Sequence, residues 1–412
     1  MTKDHKRSVR PASVAFVAPF PSRGSESEQT VGVEWYSESL VRHLRAGRFR
    51  IVAVAQRIES GRNPKTSVGL DIVRTWRRGL LFPVGILSSV LRYGCRLVHL
   101  QHEFFLYGKS CTAFEFLLLG LVLKVLGIRT IVTLHGVVPL SAVDPRFVRE
   151  QGSRLSPRWI ATAFRVLTRA IVASSEVIIV HEELHKRRLI SEYFCPQRNI
   201  RVVPLGASVE AKGMSKVKAK ESLGIEFKRI VLFFGYLAWY KGVERLLDAF
   251  LSVMARHPDT ALVIAGGEHP RHKARPEYEA YLAGLMVKVA RGDGRIIITG
   301  YVPDAKVPSY FFAADVVVFP HSVSLAASGP MSLAISYGSP FIASECFRET
   351  IEDDKLVFDH STASLASRLE YALNDPDFVR RSTSVIERLR KERRWEAVAA
   401  RTLQIYSEVL EQ

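Results

Sequence analysis

Between residues 230 and 345, short apolar runs alternate with helical stretches, and this alternation narrows the fold more than any other feature of the chain. The segment opens with IVLFFGYL (230–237) and turns through AWYKG (238–242) into a helical pattern. ALVIAGGE (261–268), RIIITGYVPD (295–304) and ADVVVFP (314–320) follow, and ASGPMSLAISYGSPFIAS (327–344) closes it. Strand-length apolar runs separated by helices predict a parallel sheet covered on both faces. Ligands of such sheets bind beyond the carboxyl ends of the strands. Several run ends here carry Gly, Lys or Ser, which points to a phosphate-bearing cofactor or substrate.

The first half repeats the plan. SVAFVAPF (13–20), FRIVAVAQ (49–56), RLVHLQHE (96–103), RTIVTLHG (129–136) and SEVIIVHE (175–182) read as strands, and VEWYSESLVRHLR (33–45) as a helix. Residues 157–171 read as another helix, with Ser156 as its cap and Pro157 in its first turn. A chain of 412 residues suits two α/β domains. The expected division is a basic tail (1–12), a first domain (13–205), a linker region (206–224) and a second domain (225–390). The polar stretch GASVEAKGMSKVKAKESLG contains no apolar strand and marks the linker.

An apolar share of 47% with 24% charged residues is that of a folded soluble protein. Cys95, Cys111, Cys195 and Cys346 lie far apart and form no Cys-x-x-Cys pair, which argues for a reducing, cytoplasmic setting. The basic start lacks an apolar core and reads as a tail, not a signal peptide. No apolar run approaches the ~20 residues of a spanning helix. The nearest, GLLFPVGILSSVL (79–91) and FEFLLLGLVLKVLG (114–127), are expected to be buried helices or strands.

Residues 1–205 carry 31 Lys/Arg against 15 Asp/Glu, whereas residues 206–412 carry 27 against 26. An excess confined to one half suggests that this half faces something anionic: lipid, a lipid phosphate, an acidic glycan or nucleic acid. Charge does not choose among them. Nucleic acid is disfavoured, because the arginines are not interleaved with aromatic residues and no helix-turn-helix or zinc module is visible. The arginines at 154, 158, 165 and 169 fall on one side of the 157–171 helix and are open to anionic phospholipid, while its apolar side is what a helix needs to cover a sheet. With no spanning run, the chain is expected to be soluble or at most to rest on a membrane.

Lys241 occupies a strand-to-helix turn, where its ammonium and the helix N-terminus can meet a diphosphate. Ser328, Gly329 and Pro330 precede a second helical pattern, and small residues there let backbone amides approach a phosphate or sugar. Glu268, after a Gly-Gly at a strand end, reads either as a hydroxyl ligand or as a surface carboxylate. His102–Glu103 and His135–Gly136 each end an apolar run, and a histidine so placed can hydrogen-bond a reacting hydroxyl. HEELH (181–185) fits a zinc pattern that needs both histidines on one helical turn. His181, however, closes the run VIIV and belongs at a strand end, so no metal site is expected.

Taken in order, QHEFFLYG, TLHG, VVPLG, FFGYLAWYKG, AGGE, GYVPD, AADVVVFP and ASGPMSLAISYGSP resemble the retaining glycosyltransferases of GT-B fold, group 1 (the GT4 family). The resemblance runs from about residue 14 to 344, and the QHE and ASG pair is similar to one bacterial and archaeal branch. It implies two Rossmann-like domains facing across a cleft, with a nucleotide-sugar on the second and a glycan or polyprenyl-phosphate-linked acceptor on the first. A closing helix over 391–412 would cross back to the first domain. No cofactor or metal is implied. Lys241 matches the lysine that neutralises the donor diphosphate, and His135 the histidine near the reacting sugar. Gly235, Tyr236, Glu268, Tyr301, Val302, Ser328, Gly329 and Pro330 fall on the donor side, and Gly32, His102 and Glu103 on the acceptor side. Two departures matter. Tyr236 stands where the family commonly has Arg, and Leu325 and Leu333 stand where it commonly has two glutamates. Residues 316–344 hold no acidic side chain, so the resemblance also leaves open a non-catalytic sugar- or nucleotide-binding protein.

Overall fold

The computed structural model describes residues 12–21, 31–44, 48–58, 72–104, 106–108, 112–208, 213–270 and 272–411. Most of the basic tail, Cys111 and residues 209–212 of the linker region lie outside these. In the first domain the elements are β1 (Ser13–Ala18), α1 (Val31–Leu44), β2 (Arg50–Gln56), β3 (Ile72–Trp76), α2 (Phe82–Arg92), β4 (Leu97–His102), α3 (Thr112–Val125), β5 (Arg129–Leu134), α4 (Pro145–Glu150), α5 (Pro157–Ala173), β6 (Val177–Val180), α6 (Glu183–Ser191) and β7 (Ile200–Val202). The second holds α7 (Lys216–Leu223), β8 (Arg229–Phe234), α8 (Val243–Val253), β9 (Thr260–Ala265), α9 (Pro276–Ala290), β10 (Ile296–Ile298), α10 (Val307–Ala313), β11 (Val316–Phe319), α11 (Gly329–Tyr337), β12 (Phe341–Ser344), α12 (Arg348–Ile351), β13 (Val357–Phe358), α13 (Thr362–Asn374) and α14 (Asp377–Arg393). The last helix is α15 (Trp395–Glu411).

Each domain is built on a parallel sheet, in the orders β3-β2-β1-β4-β5-β6-β7 and β10-β9-β8-β11-β12-β13. Strands such as VIIV and TALVIA are buried along their whole length, as double coverage by helices requires. This is the two-domain GT-B architecture. In both sheets the order reverses beside the first strand, which places a crevice at the carboxyl ends of β1/β4 and another at those of β8/β11.

α15 leaves the second domain and packs on α1. Its buried positions, Trp395, Val398, Ala399, Thr402, Ile405, Tyr406 and Val409, make one helical stripe that completes the core of the first domain. The crossing is a hinge of two adjacent strands of chain, in which Ala207 N–H donates to the Arg393 carbonyl at 2.7 Å.

The structure departs from the sequence reading at several elements. Part of the linker region is helical: Ser215 caps α7 by accepting from Lys218 N–H, left-handed Gly224 ends it, and α7 packs on α10 of the second domain. Ser156 does precede α5, but its side chain makes no capping bond. β3, β7 and β13 are absent from the sequence expectation, because none is a long apolar run. The two apolar segments near 79–91 and 114–127 become α2 and α3, and α3 is buried on one side only, with Phe114, Leu118, Leu121 and Val125 exposed.

Candidate active site at the crevice between the domains

On the second domain, β8 ends at Gly235, whose φ of 126° only glycine adopts without strain. A Cβ there would lie 2.8 Å from Lys241 Nζ and 3.5 Å from Pro330 Cγ. Two residues of the β8–α8 connection and one in the first turn of α11 therefore converge on one small volume. The lysine turn is held rigidly. Gly242 is left-handed, and any side chain on it would strike the Pro320 carbonyl. Tyr240 carbonyl also accepts from Ser322 N–H at 2.7 Å, tying the turn to the loop after β11.

Lys241 keeps a partial opening to solvent, but the surrounding protein desolvates its ammonium and lowers its pKa to about 8. No carboxylate among the described residues forms an ion pair with it. Its charge also bears on His321, whose pKa falls to about 3 through burial first and Lys241 second. His321 Nδ1 is buried without a hydrogen-bond partner. α11 adds its N-terminus: Ser328 Oγ accepts from Met331 N–H at 3.2 Å and Pro330 has no N–H, which leaves the Gly329 amide as the first-turn donor. A Cβ on Gly329 would meet nothing within 4 Å.

Glu268 is exposed and pairs by a backbone bridge with Leu237. Gly267 packs against the backbone of Tyr301, and a Cβ on it would lie 3.0 Å from Tyr301 N. Tyr301 is exposed, whereas the Val302 side chain is buried in the core of the second domain, so only its backbone is available. Tyr236 packs edge-on to His269, with ring centroids 5.6 Å apart.

Of the expected residues of the first domain, His102 meets His135 at the end of β5. His135 N–H donates to the His102 carbonyl at 3.0 Å. His102 is buried between Phe104 and Phe116, and burial lowers its pKa to about 4. Glu103 follows it, half-buried. Gly32 is exposed in the first turn of α1, one turn before Tyr36, whose ring edges against His135 at 4.9 Å.

The hydrogen-bond roles around His135 follow from chemistry. His181 Nδ1 lies 2.9 Å from the Val203 carbonyl, so it carries a proton. Burial keeps His181 neutral, with a pKa near 4, so its Nε2 accepts from His135 Nδ1–H at 3.2 Å. His135 Nε2 is then a bare acceptor, and the Gln101 atom placed 2.9 Å from it is the carbonyl Oε1. That contact requires Gln101 to turn its NH2 toward His135, an orientation set by the network. Gln101 in turn meets His99 Nε2 at 3.1 Å, and His99 Nδ1 meets Tyr406 Oη of α15 at 2.7 Å. Both ring nitrogens of His135 are thus engaged inside the first domain. Its backbone carbonyl reaches across, accepting from Ala327 N–H at 3.3 Å.

That last bond belongs to a strap. Residues 322–327 run antiparallel to the end of β5: Gly136 bridges Ala326, and Val137 N–H donates to the Leu325 carbonyl at 3.0 Å. Buried Arg188 of α6 donates to the Ser324 carbonyl at 2.8 Å and also to the Val137 carbonyl. Leu325 packs with Val138, Phe147 and Trp239 in an apolar cluster shared by both domains. A second contact joins His272 and Arg275 to the Glu150 carbonyl. His135, Ala327, Ser328, Pro330, Gly235 and Lys241 therefore form one continuous wall.

The sequence gives no sign of Tyr36, Arg188 or the strap, and offers Gln101 only as part of the QHE motif with no role attached, because their significance arises from contacts distant along the chain. His181 stands at a strand end and His185 in α6, and His185 is wholly buried. A cavity of about 290 Å³ lies between the strap residues Ser324, Ala326 and Ala327 and the hinge residues Glu182, Arg388 and Arg393, and Lys241 is not part of its lining.

Both halves match families of sugar-transferring enzymes. Residues 30–211 match Glycosyltransferase Family 4, and residues 228–375 match Glycosyl transferases group 1. The chain belongs to the group 1 glycosyltransferases. It is 26% identical over 266 residues to D-inositol 3-phosphate glycosyltransferase of Corynebacterium aurimucosum, covering 60% of each chain. It is 34% identical over 99 residues to a putative glycosyltransferase, YtcC, of Bacillus subtilis, covering 24% of each. The matched stretches thus span less than two thirds of these relatives. Among solved structures, sucrose-phosphate synthase from Thermosynechococcus elongatus superposes with a TM-score of 0.72 at 19% identity, covering 97% of this chain and 99% of that one. Anabaena Alr3699/HepE in complex with UDP-glucose gives 0.71 at 12% identity, covering 96% and 99%. At these identities the likeness is one of fold.

Proposed function

We propose that this protein transfers a sugar from a nucleoside-diphosphate donor to a glycan or lipid-linked acceptor at an anionic membrane surface, with retention at the anomeric carbon. The observation that carries the reading is the convergence of Gly235, Pro330 and Lys241, an ammonium without a carboxylate partner among the described residues, on one point of the crevice. The barrier lies in parting an anionic diphosphate from an oxocarbenium-like sugar. Lys241 and the Gly329 amide stabilise the departing charge where it develops. They supply positive charge without a metal ion, so transfer is expected to resist chelators. Glu268 and the Tyr301 and Val302 backbone contact the nucleotide sugar. Gly32, His102 and Glu103 line the acceptor side, and His135, held by Gln101 and His181, positions the sugar side of the crevice. Contact between the domains excludes water, so that transfer outruns hydrolysis.

Labelled nucleotide-sugars, offered with membrane extract and with soluble acceptors including inositol phosphate, test the reading. Product is expected with one donor, its anomer retained by NMR, and with loss of at least 100-fold in Lys241→Ala. Absence of product with every donor, or Lys241→Ala matching wild type, contradicts it. A second reading, a non-catalytic nucleotide-sugar-binding protein, is favoured by Leu325: it stands where the family commonly has a glutamate, and it serves the strap. That reading predicts donor binding without turnover.

A further inference from the structure

α3 is apolar on two opposite sides. Phe116, Leu119 and Leu123 pack inward. Phe114, Leu118, Leu121 and Val125, spaced by 4, 3 and 4 residues, form a second stripe that faces solvent, from 48% exposed at Leu118 to 87% at Val125. Helices apolar all round are ordinarily buried or in lipid. α2 and α5 flank α3 in the same layer and repeat the anomaly. Leu81, Val84 and Leu91 are exposed on α2, and Trp159, at 70%, and Val166 on α5. No such set occurs elsewhere among the described residues: the exposed large apolar side chains of the second domain are scattered. Apolar patches on this scale mark an interaction surface.

Charge identifies what covers it. α2, α3 and α5 together hold a single acidic residue, Glu115. Arg92, Lys124, Arg158 and Arg169 are exposed on or beside the stripes, and Arg154 lies just before α5. No ion pair neutralises Arg154, Arg158 or Arg169 among the described residues. An apolar stripe bordered by unpaired guanidinium groups and carrying one exposed indole fits the headgroup–acyl boundary of a bilayer with anionic lipids. A protein partner of the usual kind would need its own acidic rim around an apolar face, whereas an anionic bilayer supplies both by composition.

We propose that the outer faces of α2, α3 and α5 form a membrane-docking surface for anionic lipid bilayers. Helices that follow parallel strands begin at the carboxyl edge of the sheet. Leu81, Phe114 and Trp159 therefore lie at the crevice side, and the stripes run outward from there. The docked face thus reaches the rim where His102 and His135 end their strands. This deepens the transferase reading, since a lipid-linked acceptor would present its head group to the crevice from the bilayer. Docking itself does not depend on that reading.

The test is sedimentation of the full-length protein with vesicles of phosphatidylcholine alone or with about a third phosphatidylglycerol. Wild type is expected to bind the anionic vesicles at least tenfold more tightly, and less so as salt screens the arginines. Leu118→Glu/Leu121→Glu is expected to lose at least tenfold while keeping the wild-type melting temperature, both side chains being exposed. Arg158→Glu/Arg169→Glu is expected to lose the preference for anionic lipid. Trp159 emission is expected to shift blue on vesicles, and Trp159→Phe to abolish the shift. The proposal is overturned if wild type ignores anionic vesicles, or if the glutamate variant binds them as wild type does. It is equally overturned if the face proves to be a dimer contact, seen as a stable wild-type dimer that the glutamate variant dissociates and that binds no vesicle. No donor enters this assay, so its failure leaves the transferase reading intact, and failed turnover leaves docking intact.

Discussion

Lys241 is a cation kept in a place that does not favour cations. Burial lowers its pKa from 10.5 to about 8, with no carboxylate among the described residues to offset the loss of water. Replacing it by methionine is predicted to stabilise the ligand-free protein by about 1–3 kcal/mol, read as a higher melting temperature. The same change is predicted to weaken nucleoside-diphosphate binding at least tenfold. Because a bound diphosphate favours the ammonium, binding above about pH 8 should take up a proton and weaken as pH rises further. Titration calorimetry in buffers of different ionisation heat reads that uptake. The buried histidines carry the opposite pH signature for folding. His102, His181 and His185 have pKa values near 4 and His99 and His321 near 3, all through burial first. In the unfolded chain they titrate near 6.5. The unfolded chain therefore binds more protons below that value, and each histidine withdraws up to about 1.4 kcal/mol per pH unit as pH falls from about 6.5 toward 4. A melting temperature that stays flat between pH 7 and 5 would contradict this.

At the scale of elements, the hinge and the strap fix the geometry. Arg393, at the end of α14, pairs with buried Glu182 at 3.4 Å, and Thr350 Oγ1 donates to the same carboxylate at 2.7 Å. Burial alone would raise the Glu182 pKa, but Arg393 and Thr350 bring it below the ordinary value. Arg393→Met strands that carboxylate and is predicted to cost about 3 kcal/mol in chemical denaturation. Arg393→Met/Glu182→Met is predicted to recover most of the loss. The central strands of both sheets are legible in the sequence because fully buried parallel strands are continuous apolar runs, whereas β3, β7 and β13 at the sheet edges are short or mixed and are not. Lys241 was legible because it sits between such a run and a helix. α7 was passed over for want of an apolar face, although Ser215 and Gly224 signal its two ends. The 114–127 segment shows why composition misleads: its apolar content predicts a buried helix or strand, whereas it is a helix with one side facing outward. The strap, the Gln101–His135–His181 chain and the role of Arg188 were illegible, because each joins residues tens of positions apart through folds of the backbone.

For the whole molecule, two parallel-sheet domains are joined by a hinge and touch at the strap and at Glu150. The strap fastens the crevice with Val137–Leu325, His135–Ala327 and Arg188–Ser324 bonds. Admission of a nucleotide-sugar then requires these to open, and Arg188→Met is predicted to loosen the contact, raising donor on- and off-rates together in stopped-flow fluorescence. Everything in the functional account depends on the diphosphate lying against Lys241 at the mouth of β8. A crystal structure of the protein with a bound nucleoside diphosphate tests this most directly. The account predicts a phosphate oxygen within about 3 Å of Lys241 Nζ, with the Gly329 amide donating to the same group. A diphosphate bound elsewhere, such as in the hinge cavity beside Arg388 and Arg393, with Lys241 untouched, would contradict it.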